Sequence, residues 1–174
     1  MLCVTIGRSR HKVMISEYNF LAEQGAELVE MRLDFIGRHI DMNRLLENRR
    51  CPLIITCRRR EDGGRWEKTE LERLMVLRSA IASGVEFVDL EEDIAGSIPR
   101  YGSTKRIVSL HNFEETPDNL EEIHARLSAL DADVVKIATL ANSFTDCIRM
   151  MRLVESAKIP TVGLCMGDLG VVTR

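Results

Sequence analysis

A lysine lies in the middle of an apolar run, Val134-Val135-Lys136-Ile137-Ala138. Lysine is rarely buried unless a partner or a reaction uses it. Inside a covered sheet its ammonium loses hydration, which lowers the pKa from about 10.4 and favours the neutral amine. A neutral, positioned amine attacks carbonyl carbon and forms an imine. The preceding strand-like run, Ile107-Val108-Ser109-Leu110-His111, ends on a histidine. Its unperturbed pKa of about 6.5 suits a group that takes and returns protons near neutral pH. Neighbouring strands lie about 4.8 Å apart, so a histidine and a lysine at equivalent strand ends reach one substrate.

Other charged groups stand at strand ends in the same way. In Glu30-Met31-Arg32-Leu33-Asp34 charge alternates with apolar groups, which sends Glu30, Arg32 and Asp34 to one face. They bind a ligand there or form an interior ion-pair network. Arg58, in Thr56-Cys57-Arg58-Arg59-Arg60, is nearest its strand and suited to an anionic or hydroxylated ligand, whereas Arg59 and Arg60 face solvent. The adjacent Glu61-Asp62-Gly63-Gly64 is a turn. Asp89 and Glu91 put two carboxylates on one side of a strand end, where they are counter-charges for the arginines or for Lys136. Paired with either carboxylate, Lys136 becomes a structural lysine instead of a nucleophile. No histidine accompanies the carboxylates at ligand spacing, so no metal site is expected. His11, His39 and His124, in loops or on a helix face, read as structural.

These groups need a scaffold that alternates short strands with helices. The strand-like runs are Cys3–Ile6, Leu28–Leu33, Leu53–Cys57, Phe87–Leu90, Arg106–Leu110, Val134–Ala138 and Thr161–Leu164. Helical patterns fall between them at Ser16–Gln24, Asp41–Glu47, Thr69–Ser83, Asn119–Leu130 and Thr145–Ser156. In the third of these, Leu71, Leu74, Met75, Leu77 and Ile81 form an apolar helical stripe. Thr69 with Glu72 fits a capping box, and Gly25 and Gly84 sit where C-terminal caps belong. The alternation predicts β-α-β units and a parallel sheet.

With 174 residues, 45% hydrophobic and 29% charged, the chain suits one globular domain, residues 1–174. A net charge of −3 without a basic stripe excludes a general nucleic-acid binder, and no apolar run is long enough to span a membrane. The start, Met1-Leu2-Cys3-Val4-Thr5-Ile6, reads as a strand and not as a signal peptide. Five cysteines with no Cys-x-x-Cys pair suggest reduced thiols in a cytoplasmic protein, with Cys3, Cys57 and Cys165 acting as small hydrophobes.

Two architectures compete, a closed (β/α)8 barrel and an open doubly wound sheet. Polar residues at the C-terminal ends of many strands favour the barrel, which builds its site there. An open sheet would show a glycine-rich turn after the first strand, and Gly7-Arg8-Ser9-Arg10 is not one. Seven strands in 174 residues fall short of the roughly 200 that barrels need, so an eighth unit is expected to be missing.

In these residues the chain resembles the type I 3-dehydroquinate dehydratases of the shikimate pathway. The matching segments are Glu30-Met31-Arg32-Leu33-Asp34, Thr56-Cys57-Arg58 with Gly63-Gly64, Val88-Asp89-Leu90-Glu91, Ser109-Leu110-His111-Asn112-Phe113, Lys136-Ile137-Ala138, and Met166-Gly167-Asp168-Leu169-Gly170-Val171-Val172-Thr173-Arg174. They occur in family order along the whole chain. The resemblance implies a (β/α)8 TIM barrel in which Lys136 forms an imine with the substrate ketone. It gives His111 the role of general base and acid, and makes Glu30, Arg32, Arg58 and Arg174 substrate contacts. Asp62, Asp89, Glu91 and Met166 support them, Asp62 standing where relatives often carry a glutamate. Relatives continue past the position of Arg174 into an eighth strand and a serine- and glutamine-bearing loop. No metal or organic cofactor is implied, because the lysine is the electron sink. The expected partners are the small-molecule substrate and, as a homodimer, a second copy of the chain.

Two other readings stay open on the residues alone. A class I aldolase on a similar barrel would use Lys136 likewise and take Gly167-Asp168-Leu169-Gly170 as a phosphate loop. A truncated barrel would fold without turnover.

Overall fold

The computed structural model describes residues 2–174; Met1, part of the N-terminal run, lies outside the described residues. The elements are β1 (Cys3–Ile6), α1 (His11–Glu23), β2 (Leu28–Arg32), α2 (Met42–Leu46), β3 (Leu53–Thr56), α3 (Glu70–Ala82), β4 (Phe87–Glu91), α4 (Glu92–Ala95), β5 (Lys105–Asn112), α5 (Leu120–Ser128), β6 (Val134–Leu140), α6 (Phe144–Ser156) and β7 (Thr161–Met166). Short 3-10 turns cover Leu33–Phe35 and Leu169–Thr173. Backbone contacts divide the chain into two compact units. One holds residues up to Asp89 with Ile98–Thr104, and the other Leu90–Ser97 with Lys105–Arg174.

In the first unit β1, β2, β3 and β4 are neighbours in chain order, and each pair is parallel. In the second, β5, β6 and β7 repeat that arrangement. A doubly wound sheet reverses its strand order at a switch point, and neither unit does so. The observed order is that of successive β-α-β units. No helix of the described residues is long and apolar enough to cross a membrane.

Strand alternation decides which side meets the helices. In β2, Val29 and Met31 are fully buried, as are Val88 and Leu90 in β4 and Val135 and Ile137 in β6. Helix α6 lies so close to β7 that a Cβ on Gly163 would come within 2.7 Å of Met150 Sδ. The opposite side carries the polar residues. Cys57, Cys147 and Cys165 are buried free thiols. Cys3 departs from the expectation for it: it is exposed, because β1 is covered less than the adjacent β2.

Helix boundaries depart where capping gives no signal. Helix α1 begins at His11, five residues before Ser16, because Arg10 at its N-cap position makes no side-chain cap. Helix α4 is four residues long, too short to show a periodicity. Helix α3 has the expected Thr69–Glu72 capping box and buries Leu77 and Ile81 of the expected stripe, but that stripe is rotated at its start. Leu71 and Met75 of the expected stripe are exposed, while Arg73, Leu77, Ala80 and Ile81 are buried. Arg73 tolerates burial because it donates to the Cys57 carbonyl at 2.9 Å and pairs with Glu70 at 2.6 Å.

Tyr18 fixes α1 against the segment entering β3. Its hydroxyl donates to the Cys51 carbonyl at 2.8 Å and accepts the Arg50 and Cys51 amides at 2.7 and 2.9 Å. Burial pushes the phenol pKa up, against those two amide hydrogen bonds. Replacing Tyr18 by Phe leaves two amides and one carbonyl without partners. We expect a loss of about 2 kcal/mol in stability, read from the midpoint of urea unfolding.

Candidate active site

The sites of the two units are built separately. In the first, Glu30 and Arg32 leave β2 on the side away from the helices, since they are two residues apart. Register brings Thr5 of β1 beside Glu30 and Thr56 of β3 beside Arg32. Thr5 donates its hydroxyl to Glu30 Oε2 at 2.7 Å, and Thr56 donates to Oε1 at 2.6 Å. Both oxygens of a largely buried carboxylate are thereby satisfied by neutral donors.

Asp34 is not on the strand. It lies in the 3-10 turn after β2, and its carboxylate joins two loops. Arg32 donates to it bidentately, Nε and Nη2 each at 2.8 Å, and the Arg58 and Arg65 amides donate at 3.2 and 3.0 Å. Burial works against the Arg32 charge, but the hydrogen bond and charge of Asp34 outweigh it and raise the Arg32 pKa. Arg32 and Arg65 also lie over the Phe35 ring, 5.4 and 4.4 Å from its centroid. Arg32 and Asp34 therefore form an ion pair just beyond the end of β2.

Arg58 is 2% exposed and donates through Nη2 to Asp89 Oδ2 at 2.6 Å. Asp89 is thus a counter-charge for an arginine. Glu91, at the end of β4, is also buried. Gly64 lets the following loop fold back over Arg58, since a Cβ there would stand 2.0 Å from the Arg58 carbonyl oxygen. Asp62 accepts Arg59 Nε at 2.7 Å, and that ion pair leaves Arg59 more buried than its expected solvent-facing position. Arg60 is exposed, as expected, and pairs with Glu67.

In the second unit, β5 and β6 run further than their apolar cores suggest. His111 is the next-to-last residue of β5, and Lys136 is the third of β6. Lys136 is in register with Ser109, and His111 with Ala138. The two groups therefore do not stand at equivalent strand ends. They share one side of the sheet but are offset by two residues, a diagonal of about 8 Å between Cα atoms.

Lys136 is half-buried, where the apolar run suggested full enclosure. Its neighbours Val135 and Ile137 point into the helices, whereas Lys136 points away from them, beside Val162 of β7, which is 43% exposed. Ser109, beside it on β5, is buried and donates toward the Leu90 carbonyl at 3.5 Å. His111 lies parallel to the Phe113 ring, with centroids 6.2 Å apart. The chain turns just beyond it because Asn112 Oδ1 accepts the Glu114 and Glu115 amides, both at 2.9 Å. Met166 ends β7, half-buried and in register with Leu140. Arg174 is exposed, its amide donating to the Val171 carbonyl at 3.3 Å. The preceding turn folds onto β7, with Thr173 Oγ1 accepting the Cys165 amide at 2.8 Å.

Sequence reasoning missed the two threonines that hold Glu30, the Asn112 turn and the buried Ser109. The threonines could be found only by register, because each is adjacent to Glu30 or Arg32 across a strand pair and remote in sequence. Among the described residues no three His, Cys, Asp or Glu side chains converge as a metal site requires.

The buried Arg58–Asp89 pair makes a sharp prediction. Asp89→Asn should lower stability by about 3–5 kcal/mol, because it takes an opposite charge away from a buried guanidinium. The double replacement Arg58→Met with Asp89→Leu should recover at least half of that loss. Chemical denaturation of the parent and the two variants measures both.

Comparisons with known proteins agree with one another. A family model described as Type I 3-dehydroquinase matches residues 2–174. The bifunctional 3-dehydroquinate dehydratase/shikimate dehydrogenase of Arabidopsis thaliana chloroplasts is 34% identical over 185 residues, covering 100% of this chain and 31% of that protein. The 3-dehydroquinate dehydratase of Methanopyrus kandleri is 37% identical over 158 residues, covering 87% of this chain and 73% of its own length. The crystal structure of 3-dehydroquinate dehydratase from Geobacillus kaustophilus superposes with a TM-score of 0.86 at 24% identity, over 99% of this chain and 76% of that one. The chain thus spans under a third of the plant protein and about three quarters of the single-function relatives.

Proposed function

The chain belongs to the type I 3-dehydroquinase family, and from that premise we propose that it removes water from 3-dehydroquinate, giving 3-dehydroshikimate through an imine on Lys136. One observation carries the reading above the rest: Lys136 and His111 project from neighbouring parallel strands on the side away from the helices.

The chemistry follows from what each group can do. Neutral Lys136 adds to the C3 ketone, and loss of water gives the imine. Once protonated, that imine withdraws electrons and acidifies the adjacent C2–H. His111 takes the C2 proton, leaving an enamine. The enamine expels the C1 hydroxyl as His111 returns the proton, so that the group leaves as water. Hydrolysis of the conjugated imine frees the product and the amine. No separate cofactor enters this scheme, because the lysine itself supplies the electron sink.

The remaining groups position the substrate. Glu30, held by Thr5 and Thr56, and Arg32, held by Asp34, contact ring hydroxyls. Arg174 clamps the carboxylate, and Arg58, steadied by Asp89, offers further donors. Asp62, Glu91 and Met166 support this arrangement. In this reading residues 1–174 supply seven strands of a (β/α)8 barrel, which the chain-order strand neighbours in each unit support. A cytoplasmic setting and a homodimer belong to the same proposal.

Borohydride reduction in the presence of 3-dehydroquinate tests the imine. Intact-mass and peptide analysis should find one reduced adduct, on Lys136. Lys136→Met should give none. His111→Ala should still trap substrate, while dehydration, followed by the absorbance of the conjugated product, falls at least a hundredfold. A folded protein with no adduct would sink the proposal. Trapping with an aldehyde phosphate but not with dehydroquinate would favour an aldolase.

A further inference from the structure

A pocket of about 420 Å³ in the first unit is lined by Ser9, Arg10, His11 and Lys12 from the loop after β1 and the start of α1, and by Arg38, His39, Asp41 and Arg44 around the start of α2. Four of these residues carry permanent positive charge, and a single carboxylate stands among them. Several exposed arginines elsewhere are matched to carboxylates: Arg8 with Glu17, Arg50 with Glu23, Arg60 with Glu67, and Arg126 with Glu92. Arg10, Lys12, Arg38 and Arg44 have no ion pair among the described residues. Four unmatched cations around one concavity repel one another, the more notably in a chain of net charge −3.

The two loops are fastened together. The Asp41 amide donates to His11 Nε2 at 2.9 Å, so the imidazole accepts there and keeps its proton on Nδ1. The Arg44 amide donates to Asp41 Oδ1 at 3.1 Å, which turns that carboxylate toward the start of α2. Burial first, then the positive charges of Arg44 and His39, hold the His11 pKa below its usual value, although Asp41 pulls the other way. The 13-residue α1 opens on this pocket with no side-chain cap and no acidic residue in its first turn. Its positive end adds to the field of the side chains.

We propose that this pocket binds the phosphoryl group of a small phosphate-bearing molecule. Three guanidinium forks and an ammonium reach one volume from two fastened loops, which matches a dianion with several terminal oxygens. A monocarboxylate would leave most of those donors and charges unmatched. The volume leaves room for an organic group beyond the phosphate. All its residues belong to the first unit and none is Lys136 or His111, so the inference stands independently of the imine chemistry.

Calorimetric titration of the whole chain with inorganic pyrophosphate at low ionic strength is the test. Saturable binding near one equivalent is expected, weakening as salt is raised. The double variant Arg38→Ala with Arg44→Ala should bind at least tenfold more weakly, since it loses two charge-assisted contacts. Lys12→Ala, a milder change at an exposed position, should show a smaller loss in the same direction. Arg152→Ala, outside the pocket, should bind like the parent. Absence of saturable binding at millimolar pyrophosphate would overturn the inference, as would equal binding by the double variant. Citrate binding as tightly as pyrophosphate would overturn the phosphoryl assignment.

Discussion

Every second residue of a strand points away from the helices that cover the other side, and every charged strand residue considered for chemistry obeys that restriction. Glu30 and Arg32 on β2, Asp89 on β4, His111 on β5 and Lys136 on β6 all take positions that alternate with helix-facing residues. The apolar residues supply the burial that holds each strand, and the parallel ladder fixes which polar groups become neighbours. A slip of one residue in any pairing would send a carboxylate or an ammonium into the helix layer. Chemistry and stability therefore depend on the same register.

Once the charges are on one side, each is managed differently. Glu30 is held by two hydroxyls, Asp34 by a guanidinium and two backbone amides, and Asp89 by a fully enclosed arginine. The first arrangement fixes the direction of both carboxylate oxygens through neutral hydroxyls, which suits a group that must hold a polar molecule. The last neutralises both partners, which suits a group that must stay still. Lys136, less enclosed than these, keeps the access to a small molecule that a nucleophile requires. His111 lies beside the Phe113 ring, just before the turn that Asn112 closes.

Much of this was legible in the sequence, and the failures have physical causes. The strands were found because their apolar cores are short and well separated, with β1 matching Cys3–Ile6 at both ends. The ends of β5, β6 and β7 were placed about two residues early, since the ladder continues through polar residues such as Asn112 and Thr139. The start of α1 was invisible because Arg10 is no capping residue, whereas Thr69 announced α3. The inward face of α3 was read correctly at Leu77 and Ile81 but misjudged at Leu71 and Met75, because a paired arginine took a place that hydrophobicity alone would give to leucine. Lys136 looked fully enclosed because its immediate neighbours are, yet they belong to the other side of the strand. His111 and Lys136 were correctly assigned to adjacent strands, but their two-residue offset is a property of register and has no signature in either segment.

Two glycines mark where loops return over the strands that precede them. A side-chain carbon on Gly64 would meet the Arg58 carbonyl at 2.0 Å, and one on Gly170 would meet the Cys165 carbonyl at 2.1 Å. In both cases the obstacle is backbone, which cannot rotate aside as a side chain can. Each loop is thus tied to its strand by the absence of an atom, a constraint that neither charge nor hydrophobicity records. Over evolutionary drift these positions should stay frozen while the residues around them vary, so the shape of each loop outlasts most of its sequence.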